Sequence, residues 1–510
     1  MLSIVIFFYK LADRDLWSSH EARAAQDAVS ILQGHWLIPQ LYDGRLELQK
    51  PPLYYWLIAA WCRCTGSPVD GFAVRLPAAL SALAIIVTVL AIGYVSGKPR
   101  TGILAASCLL LMPHFIWLSH VGRIDLPITA CLTLALASWM LRQRKGERPV
   151  VRHLSLFLLG VMIACGLLLK GPIVLVLFIL IISGERLLSI CCNNGSASTS
   201  LGRQHPFLNW PSVVSILILV GCAVPAFVWY ILANEATEGF WVKEFFCRHN
   251  IARGFGGDPQ LDRHRHWLGH FFYLTHLPLS AGPIVLVVPV LARKFSHQFL
   301  QDSLLRLALC WFTMPVVFLS LLSYKRLDYL APAYPGLALF LATTVMQIWE
   351  TWSRKQRFYW VLAYSVAVIL NTSAWLTCVA WVLPILDVQR QQRDFAALVR
   401  QHIPQGDTVL MFATEAHLLS YHLGGPIQRS YQESELRQWL QPMHETYVIV
   451  PQRYYDKLQR ALESDWLCQR VATNLGKEVP AWFQWLDFDR GEHLLLVRVS
   501  RQSTSPTRTP

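Results

Sequence analysis

Four short stretches of the sequence gather charged and histidine side chains beside the ends of long apolar segments. The stretches are 18–52, 120–127, 248–267 and 323–336. Carboxylates in such places can act as general bases towards an acceptor, and Lys and Arg can neutralise a phosphate leaving group. Because charged side chains beside apolar segments cost free energy, they are more often functional than incidental. The chemistry indicated is transfer of a sugar from a lipid phosphate.

Several of these side chains also have simpler interpretations. Ser18 and Glu21 form an S-x-x-E capping box, so Glu21 could serve only the start of a helix. Asp125 could merely cap the following span, and Lys170, before Gly-Pro, could extend its amine to the membrane surface. Lys325 and Arg326 are harder to explain in this way, because two adjacent cations at an outer span end oppose the usual charge bias of membrane proteins.

The elements that position these residues are predicted to be membrane-spanning helices. The chain has 510 residues, of which 54% are apolar and 15% charged, whereas a soluble protein carries about 25% charged residues. The net charge of +13 lies entirely before residue 384, interleaved with apolar segments. This pattern excludes a soluble nucleic-acid-binding protein and indicates a polytopic membrane protein.

About eleven spans are expected, counting the short Met1 to Ala12. The other ten are Ala73 to Val95, Thr101 to Leu118, Leu126 to Leu141, Leu154 to Leu169, Pro172 to Leu188, Pro211 to Leu232, Ala281 to Ala292, Leu304 to Leu322, Tyr329 to Ile348 and Tyr359 to Leu383. The aromatic segment Pro51 to Cys64 is too short to span and is expected to lie in the membrane interface.

Basic residues then predict the orientation. The loops on one face hold 15 Lys and Arg in 66 residues, and those on the other face hold 15 in 126. The denser face is expected to be cytoplasmic. The four charged stretches therefore lie on the outer face.

Beyond residue 383 the sequence becomes polar and predicts a small α/β domain. Apolar stretches at 408–412, 446–450 and 493–499 are typical of strands, and Tyr454 to Glu463 is typical of a helix. The expected organisation is a transmembrane catalytic domain at 1–383 with its first outer loop at 13–72, an outer α/β domain at 384–501 and a disordered tail at 502–510. An odd number of spans places the α/β domain outside the cytoplasm.

No metal site is favoured by the sequence. Cys62 and Cys64, and the adjacent Cys191 and Cys192, lack a second pair at zinc-binding spacing. Four histidines at 249, 264, 266 and 270 have spacings that fit no compact site, so a hydrated loop is expected there. No cofactor is predicted with certainty; a divalent metal is an alternative that is not favoured.

The sequence also resembles the membrane glycosyltransferases of family 39, which include protein O-mannosyltransferases and the lipid A aminoarabinose transferase. The run from His20 to Leu57, with KPPLYYW, resembles their first outer loop. FAVRLPAAL, RIDLPIT, LLKGPIVLVL and KRLDYLAPAYPGLAL are similar to later family stretches, in the family's order. The resemblance covers about residues 13 to 345.

This resemblance implies a GT-C fold, a polyprenyl-phosphate sugar donor and transfer on the periplasmic side. It places Glu21 at the second acid of the family's D-E pair and Asp125 at the acid after the third span. Arg23 and Lys50 then lie where the lipid phosphate is expected. His20 replaces the first acid, and Gln49 stands where the aminoarabinose transferase has a glutamate at a metal-binding position.

The combined prediction is a lipid-phosphate-sugar-dependent glycosyltransferase of the cell inner membrane. The expected catalytic residues, in order of preference, are Glu21, Asp125 and His20. Donor phosphate is expected to meet Arg23, Lys50, Arg123, Lys325 and Arg326, and lipid or sugar to contact Tyr54, Tyr55, Trp56, Tyr329 and His266. The expected partners are the polyprenyl-phosphate sugar, an acceptor lipid, glycan or protein, and membrane lipids, without nucleic acid.

Two other classes of protein remain open at this point. A multi-span lipid or sugar transporter or flippase would carry its charges near the bilayer midplane in broken helices, whereas here they lie at span ends. A non-catalytic membrane assembly protein would use its last domain to bind a partner.

Overall fold

A computed structural model describes residues 2–144, 146–193, 213–256, 269–286, 300–390, 392–462, 466–474 and 492–501. The expected tail at 502–510, His266 and much of the expected span at 281–292 lie outside these residues. Within them the chain forms two compact units. One unit contains Met1–Leu11, Leu48–Ile58 and Arg75–Leu376, and the other contains Ala12–Glu47, Ala59–Val74 and Thr377–Pro510.

Helices dominate the chain up to residue 390. In chain order they are α1 Leu2–Phe8, α2 Ser19–Leu32, α3 Leu53–Thr65, α4 Gly71–Val95, α5 Pro99–Leu109, α6 Pro113–Ser119, α7 Asp125–Gln143, α8 Pro149–Lys170, α9 Ile173–Asn193, α10 Val213–Ala236, α11 Phe272–Ala281, α12 Ser303–Leu321, α13 Tyr334–Trp349, α14 Arg354–Thr377 and α15 Leu383–Arg390. A π-helix covers Lys243–Ala252 between the short helical segments Phe240–Val242 and Arg253–Phe255, and 3-10 helices cover Gly269–Phe271, Gly282–Leu286 and Leu327–Ala333.

Seven helical segments in the described part of the chain are long and apolar enough to cross a membrane. They are Gly71–Val95, Pro149–Lys170, Ile173–Cys192, Val213–Ala236, Ser303–Leu321, Leu327–Trp349 and Arg354–Asp387. An eighth results if α5 and α6, bent by 74°, form one broken span. Multi-pass membrane architecture is thus confirmed, while the total of eleven stays a prediction.

The remaining expected spans differ for identifiable reasons. Helix α1 has only seven residues, so it extends about 10 Å. Helix α7 has 19 residues and is largely buried in its unit, and its ends carry Asp125 and Arg142, which lower its mean hydropathy. Helix α3 has 13 residues, or about 20 Å, which is too short for a core of about 30 Å.

The first unit is held by close helix packing. Helix α7 packs on α8, α12 on both α9 and α13, and α13 on α5. Gly336 in α13 allows one of these approaches, because a Cβ there would lie 2.6 Å from the Phe312 nitrogen. The helices therefore meet with backbone nearly in contact, which small residues permit in membrane proteins.

The second unit is built on a five-stranded mixed sheet. Its strands are β1 Val409–Phe412, β2 Ile427–Ser430, β3 Glu445–Pro451, β4 Trp466–Thr473 and β5 Leu494–Arg501, in the order β2-β1-β3-β5-β4. The pairs β1–β2 and β1–β3 are parallel, and the pairs β3–β5 and β5–β4 are antiparallel. The expected strands at 408–412, 446–450 and 493–499 are confirmed.

Helices cover both faces of this sheet. They are α16 Arg393–His402, α17 His417–Leu423, α18 Glu433–Leu440 and α19 Tyr455–Leu462, and α19 confirms the helix expected from Tyr454 to Glu463. In β1, Leu410 and Phe412 pack towards α18 and α19, whereas Val409 and Met411 pack towards α16 and α17. Alternation along the strand thus supplies two apolar cores.

Helix α2 and the loop after it belong to this second unit. Helix α2 packs on α17, and the buried Gln26 side chain donates to the His417 carbonyl at 2.9 Å. The Ile427 amide donates to the Tyr42 carbonyl at 3.0 Å. Much of the expected first outer loop is therefore grouped with the α/β domain rather than with the helices of 1–383.

Candidate active site

A cavity of about 880 Å³, counted to its open mouth, lies in the first unit. It is bounded by the start of α7, the end of α8, the start of α9, the π-helix and the segment from Leu319 to Pro332. Its polar lining consists of Gln49, Lys50, Asp125, Lys170, His249, Asn250, Arg253, Tyr324 and Tyr329. Three cations and one carboxylate thus line the same space.

Asp125 is the carboxylate at this cavity. It is the first residue of α7 and only 4% exposed. Its Oδ1 lies 3.4 Å from the Lys170 Nζ, and its Oδ2 lies 3.2 Å from the Arg123 Nε. The two cations stabilise the ionised carboxylate and hold it at the cavity wall, which goes beyond helix capping.

A second carboxylate, Asp328, fixes Arg123 from the other side. The Arg123 Nη1 lies 2.6 Å from Asp328 Oδ2, and Arg326 lies 3.4 Å from the same oxygen. His114 is 3.2 Å from Asp328 Oδ1 and 2.7 Å from the Tyr334 hydroxyl. Arg123 and Arg326, both expected at the donor phosphate, thus belong to a charge network that joins Asp125 to Asp328.

Two cations in the cavity lie over aromatic rings. The Lys170 Nζ is 3.9 Å from the centre of the Tyr329 ring, and the Arg253 guanidinium is 4.1 Å from the Tyr324 ring. Such contacts stabilise a cation and restrict its position. They leave positive charge at the wall, where a phosphate could be bound.

The π-helix supplies a histidine to the same wall. The His249 Nε2 lies 3.2 Å from Glu244 Oε1, which also accepts a hydrogen bond from Arg248 at 2.9 Å. Burial, and then the charge of Arg253, lower the pKa of His249 despite Glu244. This imidazole is therefore neutral at pH 7, and π-helices are frequent at functional sites.

The other expected residues of this unit are placed differently. Lys325 donates to the carbonyls of Ser320 and Leu322, and burial lowers its pKa. Tyr54 and Tyr55 are 1% and 4% exposed and pack edge to face, and Trp56 is half-buried. Among the expected residues of this unit, Lys50, Asp125 and Tyr329 line the cavity.

Glu21, His20 and Arg23 belong to the second unit. Ser18 caps α2 by accepting from the Glu21 amide at 3.1 Å, as the capping box predicts. The Glu21 carboxylate accepts from the Trp17 amide at 2.8 Å and lies 3.5 Å from Arg14. Arg23 pairs with the buried Glu47, and His20 is half-buried.

Sequence reasoning missed several residues of the cavity. A turn with a snorkelling lysine is the simpler interpretation of Lys170 in the sequence, although a cation before Gly-Pro on the basic-poor face is a usable signal. Arg253, Asn250 and Tyr324 lie in the charged stretches 248–267 and 323–336, but their place in the cavity follows only from how these stretches pack. Within the described residues no group of three or more His, Cys, Asp and Glu side chains could hold a metal ion.

Comparison with known proteins identifies related sequences. Residues 2–241 match the family model of dolichyl-phosphate-mannose-protein mannosyltransferase. Undecaprenyl phosphate-alpha-4-amino-4-deoxy-L-arabinose arabinosyl transferase 1 of Pseudomonas fluorescens is 28% identical over 68% of this chain and 57% of its own length. The corresponding transferase of Shewanella sediminis is 25% identical over 68% and 59%. The chain thus matches less than two thirds of the length of these relatives.

Solved structures show the same fold over almost the whole chain. The structure of ArnT from Cupriavidus metallidurans bound to undecaprenyl phosphate aligns with a TM-score of 0.71 and 16% identity, covering 97% of this chain and 96% of that one. Archaeal oligosaccharyltransferase AglB from Archaeoglobus fulgidus aligns with a TM-score of 0.56 and 13% identity, covering 94% and 74%. The chain is therefore a multi-pass membrane protein that has the fold of these two structures and is similar in sequence to the transferases named above.

Proposed function

We propose that the chain transfers a sugar from a polyprenyl-phosphate-linked donor to an acceptor, in the cavity beside Asp125. One observation carries the proposal: a buried carboxylate held by Lys170 and Arg123 lines a cavity that also contains Lys50 and Arg253. A carboxylate suits proton abstraction, and several cations suit a phosphate leaving group. The names of the relatives support the same donor class.

In the proposed reaction an acceptor oxygen attacks the anomeric carbon of the sugar. The bond between that carbon and the phosphate oxygen breaks, and the polyprenyl phosphate keeps the electron pair. Asp125 takes the proton from the acceptor hydroxyl. Lys50, Lys170 and Arg253 neutralise the charge that develops on the phosphate, which is the type of electrostatic stabilisation that contributes most in many enzymes.

The proposed location is the inner membrane, with the cavity and the α/β domain outside the cytoplasm. The supporting observation is the twofold higher density of Lys and Arg in the loops of the opposite face. Catalytic roles for Glu21 and His20 and a phosphate role for Arg23 remain predictions, as do the domain limits of 1–383 and 384–501.

The experiment that tests the function compares a deletion strain with strains that express the wild-type chain or Asp125→Asn. Mass spectrometry of lipids and glycoproteins should show one sugar modification that is absent from the deletion strain and restored by wild type only. An identical set of glycans and lipids in the deletion and wild-type strains would overturn the proposal. Restoration by Asp125→Asn would remove the role of this carboxylate.

A further inference from the structure

A second cavity in the first unit lies at the opposite ends of three helices that bound the first. Helix α7 begins at Asp125, which lines the first cavity. Its last residue, Gln143, and the next residue, Arg144, line the second cavity. Eighteen helical steps separate Asp125 from Gln143, which is about 27 Å. Helices α9 and α12 also contribute to both cavities. The second cavity is thus separated from the first by roughly the thickness of a membrane core.

The second cavity is roomy and rich in cations. Its volume is about 1000 Å³, again counted to its mouth. The charged side chains that line it are Lys98, Arg144, Arg186, Arg306, Asp302 and Glu185. Four cations against two carboxylates leave an excess of two positive charges, which favours an anionic ligand.

The two carboxylates of this cavity each hold a cation in place. Asp302 caps α12 through the Leu304 amide at 3.0 Å, accepts from Gln347 at 2.9 Å and pairs with Lys98. Glu185 lies 3.3 Å from the Arg306 Nε. Arg306 also donates to the carbonyl of Leu300 at 2.8 Å. These bonds fix the positions of Lys98 and Arg306 in the cavity wall.

The other two cations of the cavity, Arg144 and Arg186, are held less tightly. Arg144 is 52% exposed and lies 3.3 Å from Glu147, which is three residues further along the chain. An exposed pair of this kind is worth about 0–1 kcal/mol, so its cation is readily shared with a ligand. Arg186 is 27% exposed and lies 4.0 Å from Glu185. The buried Ser96 hydroxyl adds a polar group without a hydrogen-bond partner in the described residues.

Apolar side chains form the rest of the wall. They include Val95, Trp139, Ile182 and Leu307. A site that combines such a wall with cations at the end of membrane helices suits an amphiphile with a phosphate group, since basic pockets between helices bind anionic lipid headgroups. The first cavity needs no such ligand for the proposed transfer.

We propose that the second cavity binds the phosphate of an anionic phospholipid from the leaflet opposite the candidate active site. Arg144 and Arg186 contact the phosphate, and the acyl chains lie along the apolar wall. This binding is independent of sugar transfer, so the two proposals can fail separately.

The test is native mass spectrometry of the full chain in detergent with phosphatidylglycerol. The variant Arg144→Gln with Arg186→Gln should bind the lipid about tenfold more weakly or worse, because each cation near an anionic lipid contributes about 1 kcal/mol. The matched control is Arg100→Gln with Arg148→Gln, which changes two exposed arginines outside the cavity and should keep binding within twofold. Unchanged melting temperatures show that all variants are folded.

Equal binding by wild type and the cavity variant would overturn the proposal, as would equal loss in the control variant. Inorganic phosphate is the second probe. At millimolar concentration it should leave phosphatidylglycerol bound, because it lacks the apolar contacts. Its displacement of the lipid would overturn the lipid assignment and give the site to a soluble phosphate.

Discussion

Asp125 and Glu21 are both buried carboxylates in the first turn of a helix, but their surroundings differ. Glu21 is 0% exposed and is engaged by the Trp17 amide and by Arg14. Asp125 lines a cavity, and its oxygens face two side-chain cations. A helix start therefore explains the position of Glu21 well, whereas the setting of Asp125 is built for a ligand. The sequence motif that makes Glu21 the first choice as base does not distinguish these two environments.

The comparison is tested most strongly by removing each charge. Asp125→Asn should lower the rate of sugar transfer about 100-fold or more, because general base catalysis contributes about 10²–10⁴. Its melting temperature should change little, because Arg123 still pairs with Asp328 and Lys170 still lies over the Tyr329 ring. Glu21→Gln should lower the rate of sugar transfer about tenfold or more. It should also lower the melting temperature. Steady-state transfer and thermal unfolding measure both; a greater loss in Glu21→Gln without destabilisation would make Glu21 the base.

Replacing the cation beside Asp125 should have the next largest effect. Lys170→Met should raise the KM for the polyprenyl-phosphate donor about tenfold, because a charged hydrogen bond to phosphate is worth about 1.5–3 kcal/mol. Lys170→Arg should restore part of the affinity. Lys243→Met, an exposed lysine on the π-helix, is the matched control. Equal KM values for all these variants would show that Lys170 does not meet the donor.

In the second unit we expect substitutions to act on stability. Gln26→Leu removes the hydrogen bond to the His417 carbonyl and should cost about 1–2 kcal/mol. Thermal unfolding should show this as a fall of a few degrees, whereas the exposed Gln33→Leu should have no effect. If Gln26→Leu leaves the melting temperature unchanged, the α2–α17 contact contributes little.

A smaller effect is expected from pH. Burial alone would raise the pKa of Asp15, but the hydrogen bond and charge of His422, 2.8 Å away, lower it overall. A carboxyl group whose pKa is lowered by folding stabilises the folded state at pH values above its ordinary pKa of about 3.9. This stabilisation is lost as the pH falls through the lowered pKa. Between pH 5 and 3 the melting temperature of the wild type should fall further than that of Asp15→Asn. Parallel curves would contradict this linkage.

The sequence predicts the fold class well where patterns are local. Long apolar segments predict the spans, and VLMF, YVIV and LLLVRV predict three central strands, because most of their residues are apolar and buried. It misses the edge strands β2, IQRS, and β4, WLCQRVAT, because polar residues interrupt the apolar pattern of both, and β4 is also largely exposed. The grouping of α2 with the sheet depends on contacts nearly 400 residues apart, such as Gln26 with His417.

The candidate site was predictable in part. Lys50, Asp125 and Tyr329 come from stretches where charges lie beside apolar segments, and all three line the cavity. Lys170 has a weak signal. His249 lies on a π-helix that local sequence does not indicate, and Arg253 follows directly after it. Asp328 lies in the charged stretch 323–336, but its contact with Arg123 follows only from the helix packing.

The most direct measurement reconstitutes the chain in liposomes with a synthetic polyprenyl-phosphate sugar and follows release of polyprenyl phosphate. A mixture of lipid, glycan and protein from the host membrane supplies the acceptor. Wild type should release polyprenyl phosphate with formation of a new glycosidic bond, and Asp125→Asn should release about 100-fold less. Release by Asp125→Asn at the wild-type rate, or movement of intact donor across the bilayer without a new bond, would contradict the account.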